Sequence, residues 1–256
     1  MALQHTVRRA LGALPSTVRS RLWMAGHLCS YPVDFTDDDV ALCEWVAPFT
    51  MTSPEKIVGL ANAVRYIAAR RIPGDVVECG VWRGGSSMIV ARTLRERDDT
   101  TRTLHLFDTF TGMTTPGPHD RRYDGTAAGS LLERDRDRAP HGYWCVANER
   151  DVRQNLARCG YPMDRIRLIA GDVAETIPAE APSAIALLRL DTDWYESTRH
   201  ELAHLYHRVS PGGVVIIDDY GHWQGSRRAV DEFLATLDDV PLLSRLDFDG
   251  RMWVKA

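Results

Sequence analysis

The chain has 256 residues, 44% hydrophobic and 26% charged, a balance that suits a soluble globular protein of roughly one to two domains and argues against long disorder, collagen or a coiled coil. Lys and Arg number 31 against 35 Asp and Glu, so the net charge is −4 and nucleic acid is not an expected partner. The five cysteines (Cys29, Cys43, Cys79, Cys145, Cys159) are odd in number, scattered and never in a Cys-x-x-Cys pair, which points away from a disulfide framework or zinc knuckle and toward a reducing, cytoplasmic setting.

The first 28 residues are broken by Pro15 and by Arg8, Arg9, Arg19 and Arg21, so they lack the apolar core of a secretory signal. No window approaches the ~18 apolar residues of a membrane span. Leu3, Val7, Leu11, Leu14, Val18 and Leu22 fall at helical spacing, which favours packing on the chain's own domain or on a second copy over seating on a membrane. Thr36 with Asp37, Asp38 and Asp39 opens a helix, and Ser53-Pro54-Glu55 opens another with a cap, a first-turn proline and an early negative charge.

From Asp75 on, apolar runs alternate with amphipathic helices: strands at 76–79, 103–107, 166–170, 185–190 and 214–218, helices at 86–97, 148–159, about 195–208 and about 226–237, and two last apolar pieces around 241–254. That alternation predicts an α/β fold, a doubly wound, mostly parallel Rossmann-like sheet over 73–256, with a helical extension or lid over 1–72. No internal repeat or linker interrupts it. One interval, about 109–147, is rich in Gly, Pro, Asp and Arg and shows little periodicity. Irregular connections longer than about 12 to 15 residues tend to be lids or binding loops. This one carries Tyr123, His141, Tyr143 and Trp144, which are suited to stacking on a ring-shaped substrate.

Ligands of such sheets sit beyond the carboxyl ends of the strands. Those ends hold seven carboxylates: Glu78, Asp108, Asp172, Asp191, Asp193, Asp218 and Asp219. Carboxylates gathered at one sheet edge repel, and must be paired, protonated or metal-bound. The turn Gly80-Val81-Trp82-Arg83-Gly84-Gly85-Ser86 allows close backbone approach at a helix N-terminus, but it is not Gly-x-Gly-x-x-Gly, and Glu78 would face an incoming pyrophosphate. An adenosine ligand carrying a sulfonium and an ammonium tolerates that acid, so S-adenosylmethionine (SAM) fits better than NAD. Asp108 is placed for the ribose hydroxyls and Asp172 for the adenine amino group.

Asp191, Asp193, Asp218 and Asp219 lie on neighbouring strand ends, and hard oxygen ligands without His or Cys nearby suit Mg²⁺, or Ca²⁺ in its place. A cation on two neighbouring hydroxyls of a sugar diol would lower the pKa of one of them. A carboxylate then removes the proton while the oxygen attacks the sulfonium methyl, with Asp193 the first choice of base and Asp191 the second. The competing structural reading has Asp218 and Asp219 capping the following segment and Asp191 paired with Arg189.

The strings VVECGVWRGGSS, LFDTFTGM, LRLDTDWYEST, VSPGGVVIIDDYG and AVDEF, in that order, resemble the macrocin O-methyltransferase family, whose members also methylate mycinamicin, novobiocin and rhamnose-bearing products. The resemblance runs from about Thr50 to Phe233. It implies a class I methyltransferase fold, SAM as donor, a divalent cation, a deoxysugar hydroxyl as acceptor, usually in an antibiotic pathway, and a homo-oligomer. It places metal ligands on Asp191, Asp218 and Asp219 and the base on Asp193 or Asp191. Cofactor contacts fall on Glu78, the turn from Gly80 through Arg83 and Gly84 to Ser86, Asp108, Asp172 and, within Thr50-Met51-Thr52, Met51. It fades over 1–48 and 111–147, which would select the acceptor.

Rival readings remain. His200-Glu201-Leu202-Ala203-His204 matches the His-Glu-x-x-His zinc signature, but the apolar stripe Leu202, Leu205, Val209 turns the histidines toward solvent and no third ligand stands out. His222, after the Asp pair, is placed to orient the acceptor or share its proton. Arg121, Arg122, Arg134, Arg136 and Arg138 could hold the diphosphate of a nucleotide sugar, although Glu133, Asp135 and Asp137 interleave with the last three. A catalytically silent SAM-binding scaffold is the non-enzymatic alternative, and it would be expected to lose a metal carboxylate that this chain keeps.

Overall fold

The computed structural model describes residues 31–135 and 142–256. The apolar-striped N-terminal segment, Cys29, Arg136, Asp137, Arg138 and His141 lie outside them. The chain divides into two compact units between Ala41 and Leu42, so the boundary anticipated at 72/73 falls inside the larger one. Thr36 opens helix α1 (Asp37–Val46), within which the boundary falls, by reciprocal capping: its hydroxyl accepts from the Asp39 amide at 3.2 Å, and its own amide donates to the Asp39 carboxylate at 3.2 Å.

The next helix is α2 (Pro54–Ala69), where Ser53 accepts from the Lys56 amide and Pro54 occupies the first turn. Ile57, Leu60, Ala61, Val64 and Ile67 form its buried face, packed on α3 (Gly85–Glu96) and on the sheet. That packing makes α2 part of the sheet unit.

Seven strands follow in the spatial order β3-β2-β1-β4-β5-β7-β6. They are β1 (Asp75–Cys79), β2 (Leu104–Asp108), β3 (Ile166–Ala170), β4 (Ile185–Leu190), β5 (Val209–Ile217), β6 (Ser244–Arg245) and β7 (Arg251–Val254). The first five run parallel, and β7 is antiparallel to both β5 and β6. β4 is buried along its whole length, as a central strand covered on both faces must be, so its only charged residue, Arg189, is buried too. Chain direction across the sheet reverses between β1 and β4, opening a crevice at their carboxyl ends. Register pairs Cys79 with Leu190 and Leu190 with Ile217, which sets Gly80, Asp191 and Asp218 side by side.

The remaining α-helices among the described residues are α4 (Ala128–Arg134), α5 (Glu149–Ala157), α6 (Val173–Thr176), α7 (Tyr195–Leu205) and α8 (Gln224–Leu234). The described parts of the interval read as irregular are anchored. Its α4 buries Leu131 and Leu132 against Trp194 and Trp223, with Tyr143 and Trp144 packed alongside. Buried Asp120 accepts from the Tyr195 amide at 2.8 Å and the Gly117 amide at 2.6 Å, capping α7 from outside its own chain segment. Among the described residues, no helix is long and apolar enough to cross a membrane.

Candidate active site

A cavity of about 760 Å³ opens at the carboxyl ends of β1, β2, β4 and β5, a size suited to a nucleoside-sized ligand plus a second small molecule. Its first wall is the glycine turn. Gly80 holds φ +83°, and a Cβ there would lie 1.9 Å from the Asp191 carbonyl oxygen, so no other residue permits β1 and β4 to end this close together. Asp108 organises the turn: one carboxylate oxygen accepts from the Val81 and Trp82 amides at 2.7 and 2.9 Å, and the other from the Phe110 amide at 2.7 Å. Asp108 is therefore a clamp on the loop that also lines the cavity, where a carboxylate's further lone pairs suit ribose hydroxyls. Asp172 caps α6 through one oxygen and lines the cavity as well.

Of the eight residues anticipated for the cofactor, Met51, Gly80, Ser86, Asp108 and Asp172 line the cavity, whereas Glu78, Arg83 and Gly84 do not. Glu78 is buried beneath the turn, bonded to Ser87 and, at 2.7 Å, to Arg189, so it does not face the ligand's path. Arg83 reaches away to the Pro48 carbonyl at 2.6 Å and lies over the Phe49 ring. Gly84 is the left-handed residue before α3, close to Val152 and Leu156 of α5.

The second wall is a buried charge network centred on Arg189, which meets Glu78 at 2.7 Å, Asp191 at 2.8 Å and Asp218 at 2.6 Å. Lys56 from α2 adds a second cation, 2.7 Å from the Asp218 carboxylate and 3.1 Å from its carbonyl. Burial opposes charge on Asp218, yet Lys56 and Arg189 outweigh it and hold the carboxyl down at about 2. Burial likewise opposes charge on Lys56, and Asp218, Asp247 and Asp219 outweigh it to keep the ammonium firmly protonated.

These two cations do not satisfy every acid. Burial pushes Asp193 up to about 7, with the Asp191 and Asp218 charges adding to it against hydrogen bonds to Asp219 and Trp223. Burial also raises Asp219, helped by Asp193 and Asp218, and raises Asp191 despite Arg189. Carboxylate oxygens of Asp191, Asp193 and Asp219 lie within 4.8 Å of one another. Asp193 holds φ +66°, a strained conformation for a residue with a side chain, while its amide donates to the Asp219 carboxylate at 3.2 Å. Asp218 also lines the cavity, with one carboxylate oxygen on Arg189 and the other on Lys56, and Asp193 stands beside Asp191 and Asp219 in the converging group. The Arg189–Asp191 pair weighed as the competing reading is present.

His222 lines the cavity, its Nδ1 3.7 Å from Asp249 and its ring edge-on to Tyr123 and Trp223. Its amide donates to the Asp219 carbonyl at 3.0 Å. Tyr143 and Arg134 line the cavity too; Trp144 donates instead to the Leu132 carbonyl. Arg122 is held by Asp124 and the Tyr143 hydroxyl, and Arg121 by the Gly125 carbonyl.

The His-Glu-x-x-His string does not assemble a metal site. His200 meets the Ile177 carbonyl at 3.0 Å and His204 the His200 carbonyl at 2.8 Å, both half-buried rather than solvated as anticipated, while Glu201 turns fully into the core toward Thr192. Sequence reasoning missed Lys56, Glu201 and Asp120. A charge inside the apolar run of β4 was the available signal for Arg189; Lys56, in the first turn of an amphipathic helix, carries none.

The family model for macrocin O-methyltransferases matches residues 37–255. The chain is 34% identical over 214 residues to demethyldecarbamoylnovobiocin O-methyltransferase of Streptomyces niveus, covering 83% of this chain and 78% of that protein. It is 32% identical over 207 residues to mycinamicin III 3''-O-methyltransferase of Micromonospora griseorubida, covering 81% of this chain and 78% of that one. The solved structure of the O-methyltransferase NovP superposes with a TM-score of 0.69 at 33% identity, over 81% of this chain and 82% of that one. The calicheamicin methyltransferase CalS11, at 21% identity, shares the fold with a TM-score of 0.61 over 87% of this chain and 94% of its own. The strand order, the cavity at the β1/β4 crevice and these matches agree: the chain belongs to the macrocin O-methyltransferase family and is an O-methyltransferase with the class I, SAM-dependent fold.

Proposed function

We propose that the protein transfers the methyl group of SAM to a hydroxyl of a deoxysugar, either nucleotide-linked or attached to a natural product, in antibiotic or secondary-metabolite biosynthesis, with the help of a divalent cation, Mg²⁺ or Ca²⁺ in its place. The observation that carries this reading is the convergence of Asp191, Asp193 and Asp219 in the cavity that the nucleoside-suited residues Asp108 and Asp172 also line. The sugar is supported by the relative named 8-demethyl-8-(2,3-dimethoxy-alpha-L-rhamnosyl)-tetracenomycin-C 4'-O-methyltransferase, 34% identical over 204 residues.

Three acids with burial-raised pKa values and hard oxygen donors fit a divalent cation, which would supply the missing counter-charge and acidify a neighbouring sugar hydroxyl. Asp191, Asp193 and Asp219 would hold it. Asp193 is the group placed to take the hydroxyl proton, with Asp191 second. The acceptor oxygen attacks the sulfonium methyl, the sulfur leaves with the bonding pair as S-adenosylhomocysteine (SAH), and the proton passes from the carboxylate to solvent. His222, beside Asp249 and the rings of Tyr123 and Trp223, orients the acceptor.

Around His222, exposed Tyr123 and Phe248 stand edge to face with ring centroids 5.5 Å apart, and an apolar group extending from the sugar would rest there. Assembly as a homo-oligomer is part of this reading on the strength of the family resemblance alone. The test is incubation of purified protein with SAM and a panel of deoxysugar nucleotides and glycosides, with Mg²⁺ or with EDTA. Mass increase of an acceptor by one methyl group, lost with EDTA, supports the reading. Methylation undiminished by EDTA overturns its cation part.

A further inference from the structure

Glu201 is fully buried, and the catalytic scheme makes no direct use of it. Both of its carboxylate oxygens accept from the Thr192 hydroxyl, at 3.0 and 3.1 Å. The Cys79 carbonyl accepts from the Asp191 amide at 2.8 Å. Thr192 lies between two of the converging acids, and its carbonyl accepts from the Trp194 amide at 2.7 Å and the Ser197 hydroxyl at 3.3 Å. Every polar group of Thr192 that these bonds reach is thus tied to α7 or to the turn leading into it.

A strained residue persists only where its surroundings over-determine it. Asp193, at φ +66°, immediately follows this tethered threonine. Without the tether, a turn carrying two mutually repelling carboxylates can relax by rotating one of them away. The same glutamate explains the His-Glu-x-x-His string: the glutamate faces the strand-end turn, and His200 faces the Ile177 carbonyl.

We propose that Glu201, acting through Thr192, is a positioning residue that holds the Asp191-Thr192-Asp193 turn in the geometry able to take a divalent cation. This rests on the reading of Asp191, Asp193 and Asp219 as the cation-holding group. Glu201 touches no reacting atom in this scheme. Outer-shell partners of metal ligands typically change affinity by about 10- to 100-fold when removed.

The test is titration of the full-length protein with Mn²⁺, followed by electron paramagnetic resonance, for wild type, Thr192→Val, Thr192→Ser, Glu201→Leu and Glu201→Gln, with SAH titration of each as a control. Thr192→Val and Glu201→Leu should weaken Mn²⁺ about 10-fold or more with SAH affinity within about twofold. Thr192→Ser and Glu201→Gln, which keep the hydroxyl-to-oxygen bond, should restore it. Thr192 is only half-buried, so its pair decides the matter if Glu201→Leu does not fold. Mn²⁺ binding unchanged in Thr192→Val, a Ser variant as weak as the Val variant, or parallel loss of SAH binding each overturn the proposal while leaving the cation site standing. Absence of Mn²⁺ binding by the wild type overturns the cation reading and this proposal with it.

Discussion

Arg189 and Asp218 meet at 2.6 Å in the interior, one from the carboxyl end of β4 and the other just past β5, and Lys56 closes on the second oxygen of the same carboxylate at 2.7 Å. Asp218 thereby ties α2 to the sheet. A buried charge left without its partner is costly, commonly about 3 to 5 kcal/mol. Arg189→Met should therefore destabilise the protein by that order, read by urea denaturation, because Glu78, Asp191 and Asp218 all lose their shared cation. A loss below about 1 kcal/mol would show that those carboxyls are held by something else.

The two adjacent aspartates should separate by phenotype. Asp219→Asn removes one of the three converging oxygens and should weaken Mg²⁺ or Mn²⁺ about 10-fold or more while sparing SAH. Asp218→Asn should lower the melting temperature and leave cation affinity within a few-fold. Calorimetric titration of both variants decides it, and the reverse assignment of phenotypes would return Asp218 to the ligand set.

Ion-free protein should lose stability as pH rises. The Asp193 carboxyl goes from 3.8 when unfolded to about 7 when folded, so the folded state holds its proton more tightly. Its stabilising contribution is complete below pH 4 and fades as pH climbs toward about 7. A divalent cation must displace those protons, so binding should release more protons at pH 6 than at pH 8. Calorimetry in two buffers of different ionisation enthalpy measures the number released. A count independent of pH would contradict the raised acids.

Asp108→Asn keeps the side chain's size but exchanges one acceptor oxygen for an NH₂ group against a loop held by three amides. SAH affinity should fall about 10-fold, near 1.4 kcal/mol, the scale of a lost charged hydrogen bond. Unaltered affinity would mean that the ribose is held elsewhere.

Phe248→Ala and Tyr123→Ala remove the exposed rings beside His222. Each should raise KM for a sugar carrying an apolar group by several-fold, with SAH binding unchanged, since a ring stacked at a partly exposed site contributes about 0.5 to 1.5 kcal/mol. Equal KM values for wild type and both variants would take the rim out of acceptor binding.

Strands such as Ile166–Ala170 and Ile185–Leu190 were legible to the residue, because short apolar runs bounded by turns have one economical placement between helices. The acids at strand ends were legible for the same reason, since topology puts all carboxyl ends on one edge. Six of those seven acids line the cavity; what could not be read is that β1–β4 register pairs Glu78 with Arg189 inside the sheet, and that Lys56, more than 100 residues away in sequence, binds Asp218. Helix α4 escaped notice because its seven residues are too few for a period to show, and its apolar pair packs on Trp194 and Trp223 from distant segments. Arg83 pointed the wrong way because its partner is a carbonyl before α2, invisible to any local pattern.

The central claim is tested most directly by a crystal structure with SAH and Mn²⁺, using anomalous scattering to locate the ion. The account predicts one strong anomalous peak within bonding distance of Asp191, Asp193 and Asp219, with the adenosine against Asp108 and Asp172. An ion bound elsewhere, or SAH outside the β1/β4 crevice, would contradict it.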